Sequence, residues 1–102
     1  MLPQSVKDCL SERKYSIGIG SYSTYFFMDI KEKYDPHSGN RHICSLTYDQ
    51  RTDHLAMSDR DGLDERLARF IQGTIDGLGN GKLTAEALRE AFSELASSSG
   101  RF

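Results

Sequence analysis

The chain has 102 residues, with 13 basic against 15 acidic and a net charge of −2. At 37 % apolar and 27 % charged it can close one hydrophobic core and is too apolar to stay disordered. Its near-balanced charge lacks the basic footprint of a nucleic-acid binder, and no run of about 18 apolar residues is present to span a membrane.

The N-terminal stretch MLPQSVKDCLSERK has no apolar signal core and no small-residue cleavage site, so the chain reads as cytoplasmic. Val6, Cys9, Leu10 and Arg13 fall at helical spacing. Pro3 and Ser5 offer a start and a cap for a short first helix. The two cysteines, Cys9 and Cys44, sit in apolar contexts and read as reduced, packed thiols.

Residues 15 to 34, YSIGIGSYSTYFFMDIKEKY, turn aromatic and β-branched, which favours strands. Alternation places Phe26, Met28 and Ile30 on one face and Tyr25, Phe27 and Asp29 on the other. Gly20 and Ser21 mark the expected break between two strands. The aromatics on both faces imply a strand that is central or covered on both sides. The polar loop DPHSGNR leads into HICSLTY, and a tight DQRTD connection leads to HLAMS. These links are too short for parallel crossovers, so the strands form an antiparallel meander.

The last third is helical. Asp61 is the expected cap of a helix carrying Leu63, Leu67, Phe70, Ile71 and Ile75, and Thr84 caps a second carrying Leu88, Ala91, Phe92 and Leu95. Leu83 and Leu88 match a hydrophobic staple, and Gly77, Gly79 and Gly81 supply positive φ between the helices. The ending SSSGRF reads as a frayed tail over 97–102. The whole is one α+β domain over residues 1–102. It comprises a short N-terminal helix, a three- to four-stranded antiparallel meander, and a C-terminal helical hairpin packed on one sheet face.

The stretch IDGLGNGKLTAEALREAF resembles the calcium loop and exit helix of EF-hand proteins, a likeness covering about thirty residues from Glu65 to Leu95. With Asp76 at the first ligand position, Asn80, Gly81 and Thr84 fall where oxygen, glycine and oxygen are needed. Leu78 at the third position and Ala87 at the twelfth offer no oxygen, so a hard cation has too few ligands and too little charge. Asp76, Asn80 and Thr84 are therefore degenerate metal candidates, and no metal or other cofactor is expected. The order helix, three strands, helix resembles double-stranded-RNA-binding domains in topology alone. Their lysine-rich final helix start is replaced here by SDRDGLDERLAR, of mixed sign, and no RNA function carries over.

His37, His42 and His54 lie within eighteen residues. They raise the alternative of a small nuclease-like enzyme in which two histidines trade a proton while Lys33 or Arg41 steadies a phosphate. Their loop settings and lack of zinc-ligand spacing weigh against it. GIGSYS lacks the third glycine and the helix of a phosphate loop. What remains is a small non-enzymatic protein-binding module of the immunity, phage-inhibitor or adapter kind. Tyr22, Tyr25, Tyr34, Arg41 and Arg51 are its candidate contact residues, because tyrosine and arginine commonly carry interface energy. A degenerate EF-hand-like regulator without calcium is the other alternative. The expected partner is a protein, with a homodimer through a sheet edge a further option.

Overall fold

The computed structural model describes residues 2–35, 39–58 and 62–100, without the side chains of Tyr34, Asp35 and Asn40. Its elements in chain order are α1 (Gln4–Glu12), β1 (Tyr15–Tyr22), β2 (Tyr25–Asp35), β3 (Gly39–Asp49), β4 (His54–Ser58), α2 (Glu65–Gly79) and α3 (Ala85–Ser98). The four strands form one antiparallel sheet in the order β1-β2-β3-β4. The helices cover one face, burying Val6, Cys9 and Leu10 of α1, Leu67 and Ile71 of α2, and Leu88, Phe92 and Leu95 of α3 against Ile17, Phe26, Met28, Ile30, Cys44, Leu46 and Tyr48. Among the described residues no element covers the other face.

Strand parity behaves as the alternation requires. Phe26, Met28 and Ile30 point into the core, while Tyr25 and Phe27 are exposed. β2 is thus central but not covered on both sides. The strand break comes later than Gly20-Ser21. Tyr22 pairs with Tyr25, so Ser23 and Thr24 make a two-residue turn, with Ser23 at φ 55°. Gly20 instead stays within β1 because the Phe27 ring lies across it. A Cβ there would fall 2.5 Å from Phe27 Cζ. A register shift after Ile30 lets Ile43 and Cys44 both turn inward on β3.

The first helix is capped by Pro3, whose carbonyl accepts from Val6 and Lys7, and Ser5 lies inside it. The second begins at Glu65, where Asp64 Oδ1 accepts from the Arg66 N–H at 3.0 Å. Asp61 is outside the described residues, and Leu63 precedes the helix as a buried anchor. Asp64 is also the hub of a polar cluster at the α1–β1 junction. The hydroxyl of the fully buried Tyr15 accepts from the Asp64 N–H at 2.9 Å, and Arg66 bridges Asp64 to Glu12. Arg13 joins Glu32 at 2.9 Å and Asp64 at 3.6 Å, with its guanidinium 5.6 Å from the Tyr15 ring centre. Cys9 packs beside this cluster. Burial first, and then the Asp64 charge, push its thiol up to about 11, so it stays protonated.

The expected tail is not frayed where it is described. α3 runs through Ser98, and Ser99 and Gly100 then bond the outer edge of β1: Ser99 Oγ accepts from Ile17 N–H at 3.0 Å, and Gly100 N–H donates to the Tyr15 carbonyl at 3.0 Å. Arg101 and Phe102 lie outside the described residues.

Between α2 and α3 the three glycines divide their work. Only Gly81 has positive φ, at 78°. Gly77 allows close approach, since a Cβ there would lie 3.3 Å from Leu83 Cβ, and Leu83 N–H closes onto the Gly77 carbonyl at 2.8 Å. Gly79 is the last residue of α2 with open space around it. Gly73, mid-helix and equally open, makes a useful contrast. Gly81→Ala should lower the unfolding free energy by about 1–2 kcal/mol through left-handed strain. Gly73→Ala should raise it by about 1 kcal/mol through helix propensity. Urea midpoints moving in opposite directions would confirm both assignments.

Candidate functional site

The bare sheet face is built from alternate residues of four strands. Register places Gly18, Gly20 and Tyr22 of β1 beside Asp29, Phe27 and Tyr25 of β2, then Ser45, Thr47 and Asp49 of β3, and finally Ser58, Ala56 and His54 of β4. Aromatic rings gather at one end. Tyr22 is 77 % exposed, Tyr25 43 % and Phe27 37 %. Exposed apolar surface gathered in this way commonly marks an interaction site.

The two turns at that end are tied to each other by hydrogen bonds. Thr24 Oγ1 donates to Asp49 Oδ1 at 2.9 Å, Gln50 N–H donates to the Thr24 carbonyl at 3.0 Å, and Arg51 N–H donates to Asp49 Oδ1 at 3.0 Å. Burial alone would raise the Asp49 pKa, but these bonds outweigh it and keep the carboxyl ionised below its ordinary range. The β1–β2 turn and the β3–β4 turn are thereby locked together. Tyr48 adds a hydroxyl bond to Asp53, which sits at φ 56° in the second turn. That bond, reinforced by burial, pushes the Tyr48 pKa up to about 12.

Of the expected contact residues, Tyr22, Tyr25 and Arg51 come together at this end. Arg41 does not. It faces Glu32 at 3.6 Å, in the ion-pair cluster of Arg13 at the far end of the sheet. Tyr34 lies in β2, but its side chain is outside the described part. Phe27, Gly18 and Gly20 belong to the face and were not among the expected residues. Strand parity carried the signal for all three.

The structure does not bring His42 and His54 together. His42 pairs with Lys31, whereas His54 pairs with Asp49, which lies seven residues beyond His42 on β3. At roughly 3.3 Å per residue the two are about 23 Å apart, too far to share a proton transfer. His37 lies outside the described residues. His42 does join a polar chain: its Nε2 is 2.7 Å from Ser45 Oγ, which in turn donates to Asp29 Oδ1 at 2.8 Å. Serine occupies the middle of that chain. Its proton is spent on the carboxylate, which can only accept, so His42 donates to the hydroxyl rather than drawing a proton from it. This is the reverse of an activated nucleophile.

The calcium-loop positions are likewise committed elsewhere. Asp76 is inside α2, where its carboxylate accepts from Gln72 at 2.8 Å. Asn80 Oδ1 accepts from Lys82 N–H, and Thr84 Oγ1 accepts from Ala87 N–H as the cap of α3. Among the described residues no three His, Cys, Asp or Glu side chains group as metal ligands. Millimolar calcium should therefore leave the amide resonances of Gly81 and Leu83 unmoved in a heteronuclear NMR titration.

No match was found among family models, curated proteins or solved structures. The functional reading accordingly rests on the geometry of this chain. A groove of about 490 Å³ between α2 and α3 is lined by Phe70, Leu83, Ala87 and Ala91 together with Arg69, Lys82, Glu90 and Glu94. Among the described residues no helix is long and apolar enough to cross a membrane.

Proposed function

We infer that the protein is a non-enzymatic binding module whose working surface is the bare sheet face around Tyr22, Tyr25 and Phe27. One observation carries this reading. All three helices pack on a single side, leaving three aromatic rings exposed together over a turn pair that is already rigid. Rigid aromatic anchors lose little entropy on binding, which is why such residues dominate contact energies. Arg51 on the adjoining turn supplies a cationic rim. The partner is a protein, in keeping with an immunity, inhibitor or adapter role.

The test is affinity capture from the native host with the intact chain, a Tyr22→Ser/Tyr25→Ser double variant, and Glu86→Ala on the exposed surface of α3 as control. The double variant should lose a specific partner that wild type and control retain, with affinity falling by about 100-fold or more, as for loss of a hot spot. Equal capture by all three would refute the assignment of this face. Nuclease turnover abolished by His42→Ala would refute the non-enzymatic reading.

A further inference from the structure

Within the binding-face reading, we propose that the partner of this surface is a second copy of the chain, joined antiparallel through β1 about a two-fold axis at Gly20. The edge of β1 supplies the first argument. Tyr15 and Ile17 direct their backbone groups outward to Gly100 and Ser99, and strand alternation then makes Ile19 and Ser21 the next outward-facing pair. Neither has a backbone partner on that side among the described residues. Protein edges are ordinarily blocked by lysine, proline or a covering segment. The strand YSIGIGSY has no charge and no proline, and among the described residues its cover stops at Ile17.

Self-complementarity supplies the second argument. With Gly20 opposite Gly20 of the second copy, Ile19 faces the second copy's Ser21 and can exchange both ladder bonds with it, as Ser21 does with the second copy's Ile19. These bonds use backbone groups other than those of Tyr15 and Ile17 that Gly100 and Ser99 occupy. On the bare face the same register sets Tyr22 opposite the second copy's Gly18. A Cβ at Gly18 would meet nothing within 4 Å, so this glycine answers to no packing need within a single chain. It gives the Tyr22 ring a platform, as Gly20 does for Phe27. The two Phe27 rings, each leaning over its own Gly20, then approach each other across strands whose Cα atoms are about 4.5 Å apart. Tyr22 reaches toward the second copy's Asp29, whose Oδ1 already accepts from Ser45. Ile19, 37 % exposed at the helix-side rim, is covered as well. The product is one eight-stranded sheet with both bare faces on the same side.

Light scattering coupled to size exclusion should give twice the chain mass of 11.5 kDa at high micromolar concentration, dissociating on dilution. Amide exchange at Ile19 and Ser21 should slow as dimer forms. Gly18→Val, which the monomer has room for, should raise the dimer dissociation constant by about ten-fold or more with the circular dichroism unchanged. Tyr22→Ala should do the same, and as a surface change it guards against misfolding of the valine variant. A monomer at every concentration overturns the proposal. So does a dimer indifferent to both substitutions, or one without protection at Ile19 and Ser21. A monomer that still captures a host protein through Tyr22 and Tyr25 overturns the dimer while leaving the binding face standing.

Discussion

Phe92→Ala should rank with the most damaging single substitutions in the core, costing about 3–5 kcal/mol of unfolding free energy. Phe92 is fully buried, between Leu88 and Leu95 on the apolar stripe of α3, and its ring stacks on Phe26 with centroids 6.0 Å apart and planes 14° from parallel. Truncation removes the transfer energy of the ring, opens a cavity at the helix–sheet seam, and strips Phe26 of its stacking partner. Domains of this size are stable by only roughly 5–15 kcal/mol, so much of the total is at stake. The melting temperature should fall on the order of 20 °C. Phe92→Leu, which keeps an apolar side chain at the seam, should lose markedly less. Because the seam underlies the bare face, the alanine variant should also loosen amide protection across β2, whose Phe26 it leaves unsupported. Differential scanning calorimetry and hydrogen exchange measure the two effects. A loss below about 1 kcal/mol, within the range of ordinary surface changes, would mean that α3 is not seated on the sheet as described.

Much of this architecture is visible in residue pattern alone. The inward set Phe26, Met28 and Ile30 and the outward set Tyr25 and Phe27 follow from alternation, because one face of a sheet must be dry and the period is two. The cap at Thr84 is equally local. What escaped depends on register or on distant chain. The β1–β2 turn uses Ser23 in a left-handed conformation rather than the nearby glycine, so the residue with the greater freedom was the wrong marker. Gly20 was spared for a cross-strand ring that cannot be seen without the pairing. His42 and His54 looked clustered because they are close in sequence, but a strand carries residues apart at over 3 Å each. Arg41 was a surface arginine beside a loop until pairing set it against Glu32. The tail was composed like a frayed end, yet its backbone and one hydroxyl bond the edge of β1 at Tyr15 and Ile17. In each case strand register, or a contact with distant chain, decided between local options that the sequence left open.

Asp64→Ala should cost about 2–3 kcal/mol at neutral pH, and Asp64→Asn about 1 kcal/mol less than that, because asparagine keeps the helix cap and loses only the charge. The Arg66 guanidinium is the chief cause holding the Asp64 carboxyl down to about 2, from an ordinary 3.8, against burial that would raise it. The Arg66 N–H and the Cys9 thiol add to the effect. A carboxyl with a depressed folded-state pKa contributes stability fully above its unfolded value, and that contribution disappears as pH falls from about 4 through about 2. The charge term should be on the order of 1–2 kcal/mol once partial solvent screening is allowed for. Urea unfolding of wild type and Asp64→Asn should therefore differ at pH 7 and converge as the pH falls through about 2 toward about 1, where wild type loses the same charge. Other carboxylates titrate in both proteins and cancel in the difference. The alanine variant should remain less stable than the asparagine variant at both pH values, since the lost cap to the Arg66 N–H does not titrate. A pH-independent gap between wild type and Asp64→Asn would mean that the junction of Tyr15, Arg13 and Arg66 is held by packing rather than by the Asp64 charge.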